Sequence, residues 1–115
     1  MAMKQVVLAV VVTAVALFAQ SKGGGNVEEG KRLFNANGCY QCHGYVGQGG
    51  VAGARIARTA LNLQAFLRYV RQPSGAMPPY TAKVMPDDQL AKVYAYLQSL
   101  PAPTPRKDIP LLNEN

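Results

Sequence analysis

Apolar residues recur at helical spacing in three stretches of this chain. Val27, Gly30, Leu33 and Phe34 form one stripe and predict a helix over Val27 to Asn37. Leu63, Phe66, Leu67 and Val70 follow i, i+3, i+4, i+7 and predict a second. Leu90, Val93, Tyr94, Leu97 and Leu100 predict a third. The polar residues around these stripes supply boundaries. Asn26 and Asn62 suit N-caps, and Glu28 and Glu29 suit the positive end of the first helix. Pro86 opens the last helix with Asp87 and Asp88 in its first turn, while Pro73 and Pro101 stop the second and third. No period-two alternation and no internal repeat stand out, so the pattern points to an all-α fold.

The two ends of the chain break the pattern. Val6 to Ala19 is an apolar run interrupted only by Thr13, behind a single positive residue, Lys4. A bilayer span needs about 20 apolar residues, so the run fits the core of a secretory signal peptide better than a membrane helix. Ala19 and Ser21 put small residues where a signal peptidase reads, which places cleavage after Ser21. An uncleaved anchor is the alternative, and the chain would touch a membrane only in that case, with Gly23-Gly24-Gly25 as linker. The expected organisation is a signal peptide over 1–21, a flexible mature N-terminus over 22–26, one domain over 27–100 and a proline-rich tail over 101–115, extended or disordered. Export implies a periplasmic or otherwise extracytoplasmic protein.

A chain of 115 residues holds one small domain, and small domains often lean on a cofactor, metal or disulfide. Here the only cysteines, Cys39 and Cys42, stand beside the only histidine, His43. Cys39-Tyr40-Gln41-Cys42-His43 is the attachment motif for c-type haem. Thiols at i and i+3 lie along one side of a helical turn and can add to the two vinyl groups of one porphyrin edge. The next residue can then offer an imidazole nitrogen to iron. The rivals fit less well. A thioredoxin-like pair sits near a βαβ pattern, which is missing here. A structural zinc site wants four ligands, and a plain disulfide needs no adjacent histidine.

In this light the chain resembles the small monohaem class I cytochromes c of bacteria, over about Val27 to Leu100. Four features carry the resemblance in order: Gly30 with Phe34, the Cys39–His43 motif, Met77-Pro78-Pro79-Tyr80, and Ala95-Tyr96-Leu97 in the last helix. It implies a fold in which the N- and C-terminal helices cross, with Gly30 and Phe34 packed on Val93 and Tyr96 around one covalent haem c. It also implies that a backbone carbonyl in the Gly-rich stretch Gly44 to Gly53, or just after it, accepts from the second nitrogen of the ligand histidine. The family often places proline there, where this chain has Ala54 after Gly53.

With His43 as one axial ligand, no second histidine is available, and a thioether is the next choice. Export removes Met1 and Met3, leaving Met77 and Met85. Met77 sits in a proline-braced irregular segment; Met85, just before the last helix, looks like core filler. The resemblance also favours Met77, because the family ligand precedes a proline.

The formal net charge is +6, one fewer once Lys4 leaves with the signal. Lys31, Arg32, Arg55, Arg58, Arg68, Arg71, Lys83 and Lys92 are candidates for drawing in acidic patches on redox partners such as a dehydrogenase, respiratory complex or oxidase. Arg55, just after the Gly-rich loop, is also a candidate propionate contact. Export and the placement of aromatics on core stripes argue against nucleic acid as partner. The expected function is one-electron transfer without substrate chemistry. The alternatives are a subunit fixed to one dehydrogenase, or a haem enzyme or gas sensor with an open axial site, against which Met77 argues.

Overall fold

Four α-helices and two short 3-10 turns make up the computed structural model, which describes residues 22–113. The expected signal peptide over 1–21 and its cleavage point lie outside the described residues. Helix α1 spans Lys22–Ala36, α2 Cys39–His43, α3 Leu63–Arg71 and α4 Asp87–Ser99; the 3-10 turns are Arg106–Asp108 and Pro110–Leu112. No strand occurs among the described residues, so the all-α class holds. No helix among them is long and apolar enough to cross a membrane.

Helix α1 starts earlier than its apolar stripe predicts. Lys22 to Gly25 belong to it, so Asn26 lies inside the helix and not at its cap, and 22–26 is helical instead of a flexible lead-in. A glycine costs about 1 kcal/mol in a helix but does not forbid it, and extending a formed helix adds one hydrogen bond per residue. At the other end, the Asn37 side chain and backbone N–H both donate to the Leu33 carbonyl, at 2.9 and 3.0 Å. The remaining boundaries follow the sequence closely. Asn62 caps α3 by accepting from the Ala65 N–H at 2.9 Å, and Pro86 precedes α4 with Asp87 and Asp88 in its first turn.

The most extensive helix contact is between α1 and α4. Gly30 makes it possible, since a Cβ added there would lie 2.0 Å from the Lys92 carbonyl oxygen and 2.9 Å from Tyr96 Cβ. One turn on, Phe34 meets Tyr96 with ring centroids 5.6 Å apart at 60°, a tilted geometry favoured by ring quadrupoles. Of the partners expected for Gly30 and Phe34, Tyr96 meets both, and Lys92 is the residue nearest to Gly30. Phe34, Met85 and Leu97 are the largest fully buried side chains. Helix α4 serves two neighbours. Tyr96 faces α1, whereas Tyr94 is tilted against Phe66 of α3 at 5.3 Å and donates its hydroxyl to the Leu61 carbonyl at 3.0 Å.

The loop between α2 and α3 folds back on the end of α4. The Arg58 N–H donates to the Leu97 carbonyl at 2.9 Å, and Gln98 Nε2 donates to the Thr59 carbonyl at 2.8 Å. The first satisfies one of the carbonyls that the end of α4 otherwise leaves open, and the second ties a loop carbonyl to the same helix end. The tail runs without regular structure over 101–105 and departs from the extended or disordered expectation over 106–113. Asn113 Nδ2 reaches the carbonyls of Lys107 and Ile109 at 2.9 and 3.1 Å, which gathers the two 3-10 turns into a small folded unit.

Candidate functional site

Helix α2 is a single turn, so Cys39 and Cys42 lie along one side of it with His43 at its end. Both thiols are unpaired; Cys39 is half-buried and packs against the core, and Cys42 is exposed. Burial pushes the Cys39 thiol up to about 11. A thiol that holds its proton at neutral pH is a poor match for a redox-active thiolate pair, whose nucleophile needs a lowered value.

The loop after α2 wraps this turn closely. The Gly49 N–H donates to the His43 carbonyl at 2.8 Å. Gly53 lies so near Cys42 that an added Cβ would sit 2.7 Å from its carbonyl oxygen. This approach delivers the next residue to the imidazole: His43 Nδ1 lies 2.7 Å from the Ala54 carbonyl oxygen. A carbonyl can only accept, so Nδ1 carries the proton and Nε2 keeps its lone pair. The acceptor expected after the Gly-rich stretch is therefore present without a proline.

A second segment comes to the same place. Tyr80, three residues after Met77, donates its hydroxyl to the Asn37 carbonyl, just ahead of the motif, at 2.8 Å. Burial first, then proximity to the Cys39 and Cys42 thiols, pushes the Tyr80 phenol above its ordinary value. The end of the Met77 to Tyr80 run is thus tied to the residue that leads into the Cys39–His43 turn. Met77 is half-buried against the core. Met85 is 1% exposed and fills the core, as its position suggests.

Ile56, Leu67, Met77 and Tyr80 pack on the same buried core as Cys39 yet stay half-buried themselves. Two unpaired thiols on one turn and an imidazole with a free nitrogen form a donor set suited to a large group bearing a metal, and Met77 is the thioether of the segment that Tyr80 anchors beside them. A haem attached through Cys39 and Cys42 fits it.

Among the basic residues, Arg71 is not a free surface charge. It donates to the carbonyls of Tyr80 and Met85, both at 2.8 Å, and pairs with Asp87. Its partners lie 9 to 16 positions further along, beyond any local sequence signal. Arg32 pairs with Glu29, and Lys92 approaches Asp88 at 4.0 Å. Arg55 is exposed, and its Nη2 reaches the Pro101 carbonyl at 3.3 Å, which ties the loop to the start of the tail.

The family model described as cytochrome c oxidase, cbb3-type, subunit III matches residues 25–97. The match takes in most of α1, the whole Cys39–His43 turn, α3 and nearly all of α4. Comparisons with curated proteins and with solved structures gave no match. The matched segment is well over half the chain and is the part that builds the site, so the chain belongs to this family and is a small c-type cytochrome.

Proposed function

We propose that this protein is an exported one-electron carrier with a single haem c and the crossed-helix fold of class I cytochromes c. Cys39 and Cys42 form the thioethers, and His43 Nε2 and Met77 Sδ are the axial donors. The observation that carries this reading is the His43 Nδ1 contact with the Ala54 carbonyl. It fixes the tautomer that leaves Nε2 free to bind metal, and it makes that nitrogen a stronger donor. Once bound, the haem supplies an iron couple that takes up and releases one electron.

The chain's own residues set the conditions for that couple. Met77 contributes a neutral thioether, and a Met/His pair raises the potential. The half-buried Tyr80, anchored on the carbonyl ahead of the motif, would shield one side of the group from water. Arg55 has donors to spare beyond its Pro101 contact, and a propionate is the anion they suit. Lys31, Arg58, Arg68 and Lys83 are exposed and make no ion pair among the described residues. These cations favour redox partners with acidic patches, in a periplasmic setting, and the family description points to respiratory oxidases or related redox complexes.

That description also favours a second reading, a subunit held to one redox enzyme, for which the folded tail offers exposed Leu111 and Leu112. Gel filtration with the neighbouring enzyme separates the two readings.

The attachment is tested by Cys39→Ser with Cys42→Ser, expressed alongside wild type in a host that matures c-type cytochromes. Haem staining of a denaturing gel is expected to show a band for wild type and none for the double variant. A stained band in the double variant overturns the covalent assignment.

A further inference from the structure

We propose that Arg71 is a positioning residue for the Met77 sulfur, pinning shut the loop that presents it. The inference rests on the reading of Met77 as an axial ligand.

Arg71 is the last residue of α3. Beyond it, Pro73 to Pro79 carries a single turn at Gly75 and Ala76 and one side-chain contact, between the Tyr69 hydroxyl and Ser74 Oγ at 3.0 Å, so the stretch carrying Met77 has no ladder of its own. The base of that stretch is where the bonds are. The Tyr80 N–H donates to the Val70 carbonyl at 3.1 Å, and the Tyr80 carbonyl accepts from Arg71 Nη1 at 2.8 Å. Both backbone groups of Tyr80 are thus held by the last turn of α3, and residues 72–79 form a closed loop between the two pins.

The other arm of the same guanidinium reaches further. Arg71 Nη2 donates to the Met85 carbonyl at 2.8 Å and pairs with the Asp87 carboxylate in the first turn of α4. One side chain therefore fixes the base of the Met77 loop, the connection after it, and the start of the next helix. Only a planar fork of donors can do this; a lysine ammonium would reach one carbonyl at a time. The Arg71 side chain is 20% exposed, so water competes weakly for these bonds, while Asp87, 71% exposed, balances the charge from outside.

A neutral thioether is a weak ligand, and its bond to iron depends on the protein holding the sulfur in place. Removing the guanidinium frees the Tyr80 and Met85 carbonyls together and leaves Tyr80 held through its N–H and hydroxyl alone, which loosens the Met77 loop without unfolding the α1–α4 pair.

The test uses the mature holoprotein as wild type, Met77→Ala, Arg71→Gln and Arg71→Lys. Two signals are followed through one temperature ramp: the long-wavelength sulfur-to-iron absorption band of the oxidised protein and far-ultraviolet circular dichroism. Carbon monoxide uptake by the reduced protein is measured in parallel. In wild type the band is expected to survive to within a few degrees of helix unfolding. In Arg71→Gln it is expected to vanish well below unfolding, with carbon monoxide uptake faster on the order of tenfold, as the loss of a charge-assisted hydrogen bond implies. Arg71→Lys is expected to fall between the two, and it decides the question if Arg71→Gln does not accumulate. A band that persists to the unfolding temperature in either accumulating variant, with uptake as slow as wild type, overturns the role of Arg71. If wild type lacks a band that Met77→Ala removes, the assignment of Met77 fails and takes this inference with it. A wild-type band lost in Met77→Ala but kept in both Arg71 variants sinks this inference alone.

Discussion

At the α1–α4 seam, Phe34 is fully buried by protein atoms alone, whereas Met77 and Tyr80, in the segment tied to the residue ahead of the Cys39–His43 turn, remain half-buried. The two regions are held in different ways. The seam is apolar and depends on fit, with a glycine at the closest approach and a tilted aromatic pair one turn away. The site is held by polar pins, nearly all of which end on backbone carbonyls: His43 on Ala54, Tyr80 on Asn37, and Arg71 on Tyr80 and Met85. A region with part of its apolar packing still open cannot rely on close contact to fix its shape. Directional bonds to carbonyls hold these half-buried residues in position instead. The seam should therefore respond to volume, and the site to the loss of single donors.

Met77 and Met85 give the largest contrast. Met85, 1% exposed, belongs to the closed region. Met85→Ala should cost about 2–5 kcal/mol, as for other buried large-to-small changes, and leave the sulfur-to-iron band intact. Met77 belongs to the open region, and Met77→Ala should do the reverse. Its stability loss should be smaller, the band should disappear, the reduced iron should take up carbon monoxide and the reduction potential should fall. Denaturant unfolding of the holoprotein, read beside the visible spectrum, checks both. A band lost in Met85→Ala and kept in Met77→Ala would exchange the two assignments while leaving the haem motif untouched.

Gly30 tests whether the seam is as tight as its geometry. A Cβ there would meet the Lys92 carbonyl oxygen at 2.0 Å and its carbon at 2.6 Å. These are backbone atoms of a helix and cannot swing aside, so the helices must separate. Alanine is better than glycine in a helix by about 1 kcal/mol, which works in favour of the substitution. Overpacking of a closed core typically costs about 1–3 kcal/mol, and Gly30→Ala should emerge destabilised, with Gly30→Leu worse. An unchanged or raised denaturation midpoint for Gly30→Ala would mean that α1 and α4 stand further apart at this point.

The same contrast explains what could be read in the sequence. Periodicity locates α3 and α4, and Asn62, Pro86 and Asp87 mark their starts, because caps and apolar stripes are local features. Gly30 is legible as an anomaly, a glycine on an apolar stripe with no turn to explain it. The haem motif is legible because its chemistry needs fixed residue types at fixed spacing. The pins are not. Their acceptors are carbonyls, which every residue carries, so nothing marks Tyr80 or Met85 as the targets of Arg71, or Leu97 as the target of the Arg58 N–H. The division of Tyr94 and Tyr96 between α3 and α1 depends on where those helices lie around α4, which a single stripe cannot say. The start of α1 is hidden because three glycines carry no side-chain pattern. The fold of the tail is hidden because Asn113 reaches back over 4 to 6 residues to close it.

The smallest expected effect comes from a pin whose loss leaves the iron ligands alone. Asn62 Oδ1 accepts from the Ala65 N–H at 2.9 Å and caps the start of α3, the end opposite Arg71. Replacing a capping asparagine by alanine typically costs about 0.5–2 kcal/mol. The lower part of that range is expected here, for two reasons. The neighbouring Leu61 carbonyl is independently held by the Tyr94 hydroxyl at 3.0 Å, and the Phe66 N–H still finds the residue 62 carbonyl at 2.9 Å. Asn62→Asp should lose almost nothing, since a carboxylate caps as well and suits the positive end of the helix dipole. Thermal melts of the holoprotein compare the three side chains. In both variants the sulfur-to-iron band should keep its wild-type intensity, because fraying of the first turn of α3 does not reach its last. A band weakened by Asn62→Ala would show that the Met77 loop responds to the whole of α3, and the separate control assigned to Arg71 would give way to a single cooperative unit.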